Sequence, residues 1–316
     1  MSQRVGNERE PAVGAAAPSE LLEGAGAGCE ESWRQLVELH LPLVRATCAA
    51  YGLDADAAAE VNQVVWLQLA ERLPRIRRPE ALGSWIAGAT RTSCLDGRWS
   101  SRRRGDATAR LGRSSRHGTA AAFARVGARC QRLLRLAATS PRPSDADVGA
   151  ALDLAVDEIA PSCDRCLQRL GRMTGTPPDE MLGELQAALA ADDAVPGEWR
   201  AAARVAFAWV LLDAPVAERT YVSSRSLLGL GIVHQARFAV GLDGVEVTVE
   251  VKGDDVVLTG DVGGCLPVKV VARWPGGEQV DTTDETGAFR FHDLPRAPLC
   301  LQLDGSITLK TGWIVP

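Results

Sequence analysis

The side chains best placed for chemistry in this chain are arginines. Residues 98–135 hold eleven Arg against the single acid Asp106. Arg91, Arg98, Arg102, Arg103 and Arg104 follow or flank a segment that carries Trp85 and Trp99. Guanidinium groups in such a run neutralise phosphates, while Thr90 or Trp99 approaches bases. A solvated, charged linker after a core helix is the competing reading of the same residues. Catalytic groupings are sparse. His40, His117, His234 and His292 lack ligand spacing, and the Gly-rich pieces lack the Lys-Ser or Lys-Thr of a phosphate loop. Cys163-Asp-Arg-Cys166 has the spacing of a zinc or thioredoxin motif. It has no second Cys or His pair nearby and no strand–helix–strand context. Asp281, Asp284 and Asp293 read as turn acids rather than cation ligands, and Ser223-Ser224 as loop. No catalytic residue, metal site or cofactor is assigned, and an enzyme is not expected.

The elements that carry these residues follow from periodicity. The chain has 316 residues and a net charge of −5, enough for two or three domains. Residues 1–178 carry a net +4 and residues 179–316 a net −9. The overall charge argues against non-specific coating of nucleic acid. Residues 1–28 lack an apolar period and read as a disordered tail. Trp33, Leu36, Val37, Leu41, Val44 and Cys48 recur at helical spacing, with Pro42 as a candidate kink. Asp54 reads as the N-cap of a second helix running to about Leu73. A third helix starts near Pro79 and places Leu82, Trp85, Ile86 and Ala89 inward. Residues 99–118 have linker composition. Helical spacing returns at Phe123, Val126, Cys130, Leu133, Leu134 and Leu136. Ser144 opens a short helix with a capping-box acid, Asp147. A further helix holds Ile159, Cys163, Leu167 and Leu170, with Pro161 in its first turn. Three helices of this size and spacing match a helix-turn-helix unit. Two more helices fall near residues 179–191 and 197–213.

From about Ala236 the period becomes two, with Val245, Val247, Val249 and Val251 alternating with polar residues. Roughly seven short strands follow, the pattern of a small β-sandwich. The eight cysteines sit mostly inside apolar patterns and read as reduced core thiols. No N-terminal segment has the pattern of a signal peptide, and the longest apolar stretch, residues 201–212, is too short to span a bilayer. A soluble, cytoplasmic protein without a membrane partner is expected.

Residues 30–105 resemble the second conserved region of sigma-70-family RNA polymerase sigma factors of the extracytoplasmic-function type. The resemblance rests on residues 33–44, on Glu60-Val61-Asn62-Gln63-Val64-Val65-Trp66-Leu67, and on Trp85-Ile86-Ala87 through Leu95-Asp96 into the Arg run. It implies core RNA polymerase contact near Glu60, Gln63 and Trp66. It implies promoter DNA contact near Arg77, Arg78, Arg91, Arg98, Arg102, Arg103 and Arg104. Ala58, Ala59 and Val64 depart from the acidic pattern of the polymerase helix in that family. Residues 120–173 resemble region four, the second DNA reader, through Leu133-Leu-Arg-Leu136, residues 143–154, Val156-Asp-Glu-Ile-Ala-Pro161-Ser162 and residues 165–170. This implies DNA contacts from Ser162, Arg165 and Arg169. Residues 179–316 resemble accessory proteins encoded beside such factors, through residues 194–196, 202–209 and 211–213 and the closing Lys310-Thr311-Gly312-Trp313-Ile314-Val315. Within them, residues 283–295 resemble the hairpin of carboxypeptidase-regulatory-like β-sandwiches.

The fold expected is multidomain. A tail at 1–28 precedes an all-α region-two-like domain at 29–105, a linker at 106–119 and a region-four-like helix-turn-helix domain at 120–173. A linker and helical accessory segment at 174–235 and a β-sandwich at 236–316 follow. The two helical modules are expected as separate units on a flexible linker. The function implied is a sigma-like initiation factor whose acidic C-terminal region regulates it, either within the chain or through a separate regulatory protein. The alternative is a non-initiating adaptor built on a degenerate sigma core.

Overall fold

The computed structural model describes residues 17–95, 118–190, 194–211, 214–227, 231–240, 243–252, 255–263, 267–274, 276–306 and 308–314. The helical part runs α1 (Pro18–Gly26), α2 (Glu30–Ala50), α3 (Ala55–Arg72), 3-10 turns at Leu73–Arg75 and Pro79–Ala81, and α4 (Leu82–Leu95). It continues with α5 (Thr119–Phe123), α6 (Ala128–Ala137), α7 (Asp145–Leu152), α8 (Val156–Thr174), α9 (Pro178–Leu189) and α10 (Gly197–Val210). Local signals set several of these ends. The Asp54 carboxylate accepts from Ala57 N at 2.9 Å, and Ser144 and Asp147 exchange both bonds of a capping box. α8 begins at Val156, so Pro161 lies inside the helix and not in its first turn.

Three apolar cores organise the chain, and their membership ignores sequence boundaries. The first joins Trp33, Leu36, Val65, Trp66, Leu69 and Ile86 of α2–α4 to Trp199, Ala206 and Phe207 of α10, and to Cys300 and Trp313. The second gathers α5–α9 around Leu133, Leu134, Leu167 and Leu170 and takes in Leu43 and Ala46 of α2 and Ala87 of α4. The two helical modules are therefore packed on each other, and not held apart as separate units. α1 corrects the reading of residues 1–28 as tail over its described part. Leu21, Leu22 and Ala25 are buried in the first core, and three apolar residues are too few to register as a period.

The third core lies between two sheets. Strands β1 (Glu218–Leu227), β2 (Gly231–Val240), β3 (Asp243–Lys252), β4 (Asp255–Asp261) and β7 (Ala288–Leu294) form one sheet in the order β1-β2-β3-β4-β7. The other has the order β6-β5-β8-β9, from β5 (Val268–Trp274), β6 (Gly277–Thr282), β8 (Cys300–Gly305) and β9 (Leu309–Lys310). Phe238, Val247, Leu258 and Phe291 of the first sheet meet Val270, Leu301 and Leu303 of the second. The β region starts at Glu218, well before Ala236. β1 is polar and lies at a sheet edge, as does the exposed β6, and neither shows clean alternation. Residues 283–295 do not form a hairpin, because β6 and β7 belong to different sheets. The turn itself is as expected. Asp284 Oδ1 accepts from Thr286 N at 2.8 Å and Ala288 N at 3.0 Å, and Phe289 and Phe291 are buried together. Hydrogen bonds from Thr286 and the turn backbone hold the Asp284 carboxyl below the usual range.

Cys130 and Cys166 are joined as a disulfide between α6 and α8, which corrects the reading of all eight cysteines as reduced. Apolar spacing reports burial, but it cannot report pairing across two helices.

Trp33 tests the first core. Its ring stacks on Phe207 with centroids 5.4 Å apart, and its Nε1 donates to Ala203 O at 2.8 Å. Trp33→Ala is expected to cost about 3–5 kcal/mol. Leu211→Ala, at a residue 59% exposed, should stay within about 0.5 kcal/mol. Denaturant melts of the full chain measure both.

Candidate nucleic-acid and polymerase interface

α3 is the element on which polymerase contact is expected, and it is almost enclosed. Ala57, Ala58, Val61, Asn62, Val64, Val65, Trp66, Leu67, Leu69 and Ala70 are all buried. Trp66 is 0% exposed, and its Nε1 donates to Asn62 Oδ1 at 2.7 Å. Asn62 Nδ2 in turn donates to Trp199 O of α10 at 3.2 Å. Trp66, an expected polymerase contact, is covered in this structure and braces the helix from inside. Glu60 is exposed and Gln63 half-buried, so these two remain on the accessible edge of α3.

α10 covers the opposite side. Arg200 grips Glu38 of α2 through Nε–Oε1 at 2.6 Å and Nη2–Oε2 at 3.1 Å. Arg45 lies over the Trp199 ring, 5.6 Å from its centroid. The C-terminal segment locks the far end of the same helix. Trp209 Nε1 donates to Thr311 O at 3.1 Å, and Lys310 Nζ donates to Trp209 O at 3.1 Å while sitting 4.3 Å from the ring centroid. Trp313 N donates to the Glu71 carboxylate at the end of α3. A Cβ on Gly312 would stand 2.9 Å from Glu71 Oε1, so any side chain there would have to shift the Glu71 carboxylate. Burial raises the Glu71 pKa, against the weaker lowering effects of the Trp313 N–H and Arg219.

α4, the expected promoter helix, is covered on its other flank by α7. From Leu82 to Arg91 every residue is buried or half-buried. Ser84 Oγ donates to Asp147 Oδ1 at 2.9 Å, and Tyr51 OH donates to Ala151 O at 2.9 Å. Arg91 Nη2 meets Asp153 Oδ2 at 2.6 Å, so this expected phosphate contact is paired within the chain. Asp153 caps α7 at φ 60°, a left-handed position that presents its carboxylate towards α4. Arg77 and Arg78 are exposed on the connection between the two 3-10 turns. Arg98, Arg102, Arg103 and Arg104 lie outside the described residues.

The helix pair α7–α8 turns through Asp153, Leu154 and Ala155. Arg165 and Arg169 are exposed along α8. Ser162, an expected DNA contact, is buried, and its hydroxyl accepts from Arg165 Nη2 at 2.9 Å. Asp157 and Glu158 occupy the first turn of α8 and Arg172 the last, the arrangement favoured by the helix dipole. Asp153, Glu38, Glu71 and Arg200 position the site without having been singled out in the sequence, and Asp147 is singled out there only as a capping-box acid. Each acts across a long separation for which local spacing holds no signal. Among the described residues no group of three or more His, Cys, Asp or Glu is placed to hold a metal ion, and no helix is long and apolar enough to cross a membrane.

Two substitutions test this geometry. A Cβ on Gly83 would lie 2.7 Å from Asp147 Oδ1. Gly→Ala inside a helix ordinarily stabilises by up to about 1 kcal/mol. With α7 docked, Gly83→Ala must displace Asp147 from Ser84 and Ser144 and should instead destabilise by about 1 kcal/mol, read from chemical melts. A gain would show that α7 does not sit on α4. For Glu71, a raised folded pKa gives stability that is fully present below the unfolded value of about 4.3 and lost as pH rises through the folded value. Glu71→Gln keeps an acceptor for Trp313 N–H and escapes that loss. Its stability relative to wild type should therefore improve as pH rises from roughly 4 to 7.

Comparison with known proteins bears on the first helical module. Residues 36–105 match the family model of sigma-70 region 2, which spans most of α2 together with α3, both 3-10 turns and α4. No curated protein and no solved structure matches the chain. Sigma-70-family proteins are non-catalytic transcription factors. The chain thus carries a sigma-70 region-2-like helical domain, further helices packed on it, and a C-terminal two-sheet β region.

Proposed function

We propose that this chain is a sigma-like initiation factor of the extracytoplasmic-function kind, restrained by its own C-terminal region. The observation that carries the reading is the region-2 match over α2–α4. Glu60 and Gln63 form the edge of α3 that meets core RNA polymerase. Arg77, Arg78, Arg98, Arg102, Arg103 and Arg104 supply phosphate contacts, joined by Arg91 when it leaves Asp153. The pair α7–α8 acts as the region-four-like helix-turn-helix, with Arg165 and Arg169 towards DNA. The β region acts as a brace of the carboxypeptidase-regulatory-like kind and does not catalyse.

The restraint is supported by α10. Burying an aromatic or large aliphatic side chain is worth about 1.5–3 kcal/mol, and α10 buries Trp199, Phe207 and Trp209. Even about 5 kcal/mol of docking energy leaves an open fraction on the order of 1 in 5,000, and apparent affinity falls by the same factor for any partner that needs α10 displaced. The second reading, a non-initiating adaptor, is favoured by one specific observation. α10 belongs to the same apolar core as Trp33 and Trp66, so the cover is structural.

Binding of core RNA polymerase by the full-length chain separates the two. Trp199→Ala, checked for fold by circular dichroism, should tighten binding by tenfold or more, and adding Glu60→Arg should reverse that gain. Absence of binding by wild type and Trp199→Ala alike, at a salt concentration where a control sigma factor binds, would leave the adaptor reading.

A further inference from the structure

Two pairs of cysteines approach each other in the helical part, and they differ in access. Cys48 of α2 and Cys94 of α4 bring their Sγ atoms to 4.0 Å, with both residues buried in the first core. Burial pushes the Cys48 thiol well above its ordinary range. Cys130 and Cys166 have their Cα atoms 5.5 Å apart, within the span a disulfide bridges without backbone movement. Cys130 lies in the first turn of α6, is only half-buried, and stands between Arg129 and the exposed Arg132. Of this pair an oxidant arriving from solvent therefore meets Cys130 first, at the N-terminal end of α6, where Arg129 is paired with Glu158 of α8 at 3.5 Å and Arg132 lies over Tyr51. Cys166 is buried directly beneath it, the place of a thiol that resolves the first product. Cys163, three residues earlier on α8, is buried and holds no bond.

We propose that Cys130 and Cys166 form a peroxide-reactive dithiol site whose reversible oxidation pins α8 to α6. The Cys130 thiolate attacks hydrogen peroxide. The O–O bond breaks, an S–O bond forms, and the leaving hydroxide takes a proton to become water. The Cys166 sulfur then attacks the Cys130 sulfenic acid. The S–O bond breaks, the Cys166 proton leaves with the hydroxide as a second water, and the disulfide remains. Two thiols lose two electrons and one peroxide is reduced to two waters. A dithiol reductant reverses the bond by exchange.

The bond has a mechanical consequence. α6 packs on α2, and Arg132 lies 5.0 Å from the centroid of the Tyr51 ring. α8 carries the exposed Arg165 and Arg169. Oxidation thus ties the arginine-bearing helix to α6 and, through it, to α2. The two cysteines are 36 residues apart, so the bond also restrains the unfolded chain. The proposal rests on thiol geometry alone and holds whichever reading of α3 is correct.

The test uses the full-length chain, reduced with dithiothreitol, desalted, and treated with a small molar excess of hydrogen peroxide. Non-reducing peptide mapping after alkylation should find a Cys130–Cys166 linked peptide and the loss of two free thiols, with Cys48 and Cys94 still alkylatable after unfolding. The melting temperature should rise by several degrees, fall back on renewed reduction, and show no such rise in Cys130→Ser or Cys166→Ser. Oxidation that accumulates as sulfinic acid at Cys130, or that links Cys48 to Cys94 instead, overturns the proposal, as does a wild-type melting temperature indifferent to peroxide. Should either serine variant fail to fold, the mapping on wild type decides by itself.

Discussion

The indole N–H of Trp33 needs an acceptor inside the first core, and its acceptor is the carbonyl of Ala203. A buried donor left unpaired costs about 1–3 kcal/mol, so the helices of the sigma-like module do not complete their core until α10 arrives from 170 residues downstream. Asn62 repeats the arrangement by bridging the Trp66 indole to Trp199 O. Much of the remaining placement follows from that docking. The far end of α10 receives Lys310 and Thr311, and Trp313 reaches Glu71 at the end of α3. The β region is thereby fixed to the helices through its last strand.

The chemistry of this docking differs from the one suggested by charge. An acidic C-terminal region beside an Arg-rich half invites a cover made of carboxylates on guanidiniums. Among the described residues the main ion pair across the joint has the opposite polarity, Arg200 of α10 with Glu38 of α2. Arg75 with Glu218 follows the expected polarity, at 3.5 Å and with both side chains mostly exposed. Such a pair is worth at most about 1 kcal/mol and is screened by salt. Stacked aromatics and buried hydrogen bonds hold the joint, so changes of ionic strength should have little hold over it.

Helix positions and caps were legible because they are written in neighbouring residues. Asp54 and Ser144 act as the N-caps their types indicate, and the Val245 to Val251 alternation is a strand. What escaped depends on partners distant in sequence. Trp66 reads as a contact residue beside Glu60 and Gln63, yet the side of α3 it occupies is decided by α10. Arg91 reads as a phosphate contact, yet Asp153 lies 62 residues away and takes it. β1 and β6 escaped because edge strands have polar faces, and α1 because it buries only three apolar residues. The Cys130–Cys166 bond links two helices whose apolar spacing is equally satisfied by free thiols.

The two covers differ in kind, and this constrains how the molecule can work. α10 meets α2 and α3 through Trp199 and Phe207 in the heart of a core. α7 meets α4 through Ser84–Asp147 and Arg91–Asp153, with Asp153 74% exposed, and the end of α2 through Tyr51–Ala151. An anion arriving at Arg91 competes with a carboxylate that water already reaches. A partner that needed the Asn62–Trp66 side of α3 would have to replace a tryptophan core. The exposed Glu60 edge requires no such exchange. The joint between α4 and α7 is therefore the more readily opened of the two. A partner that uses only the Glu60 edge of α3 binds with α10 in place, whereas one that needs the Asn62–Trp66 side binds only when α10 is displaced.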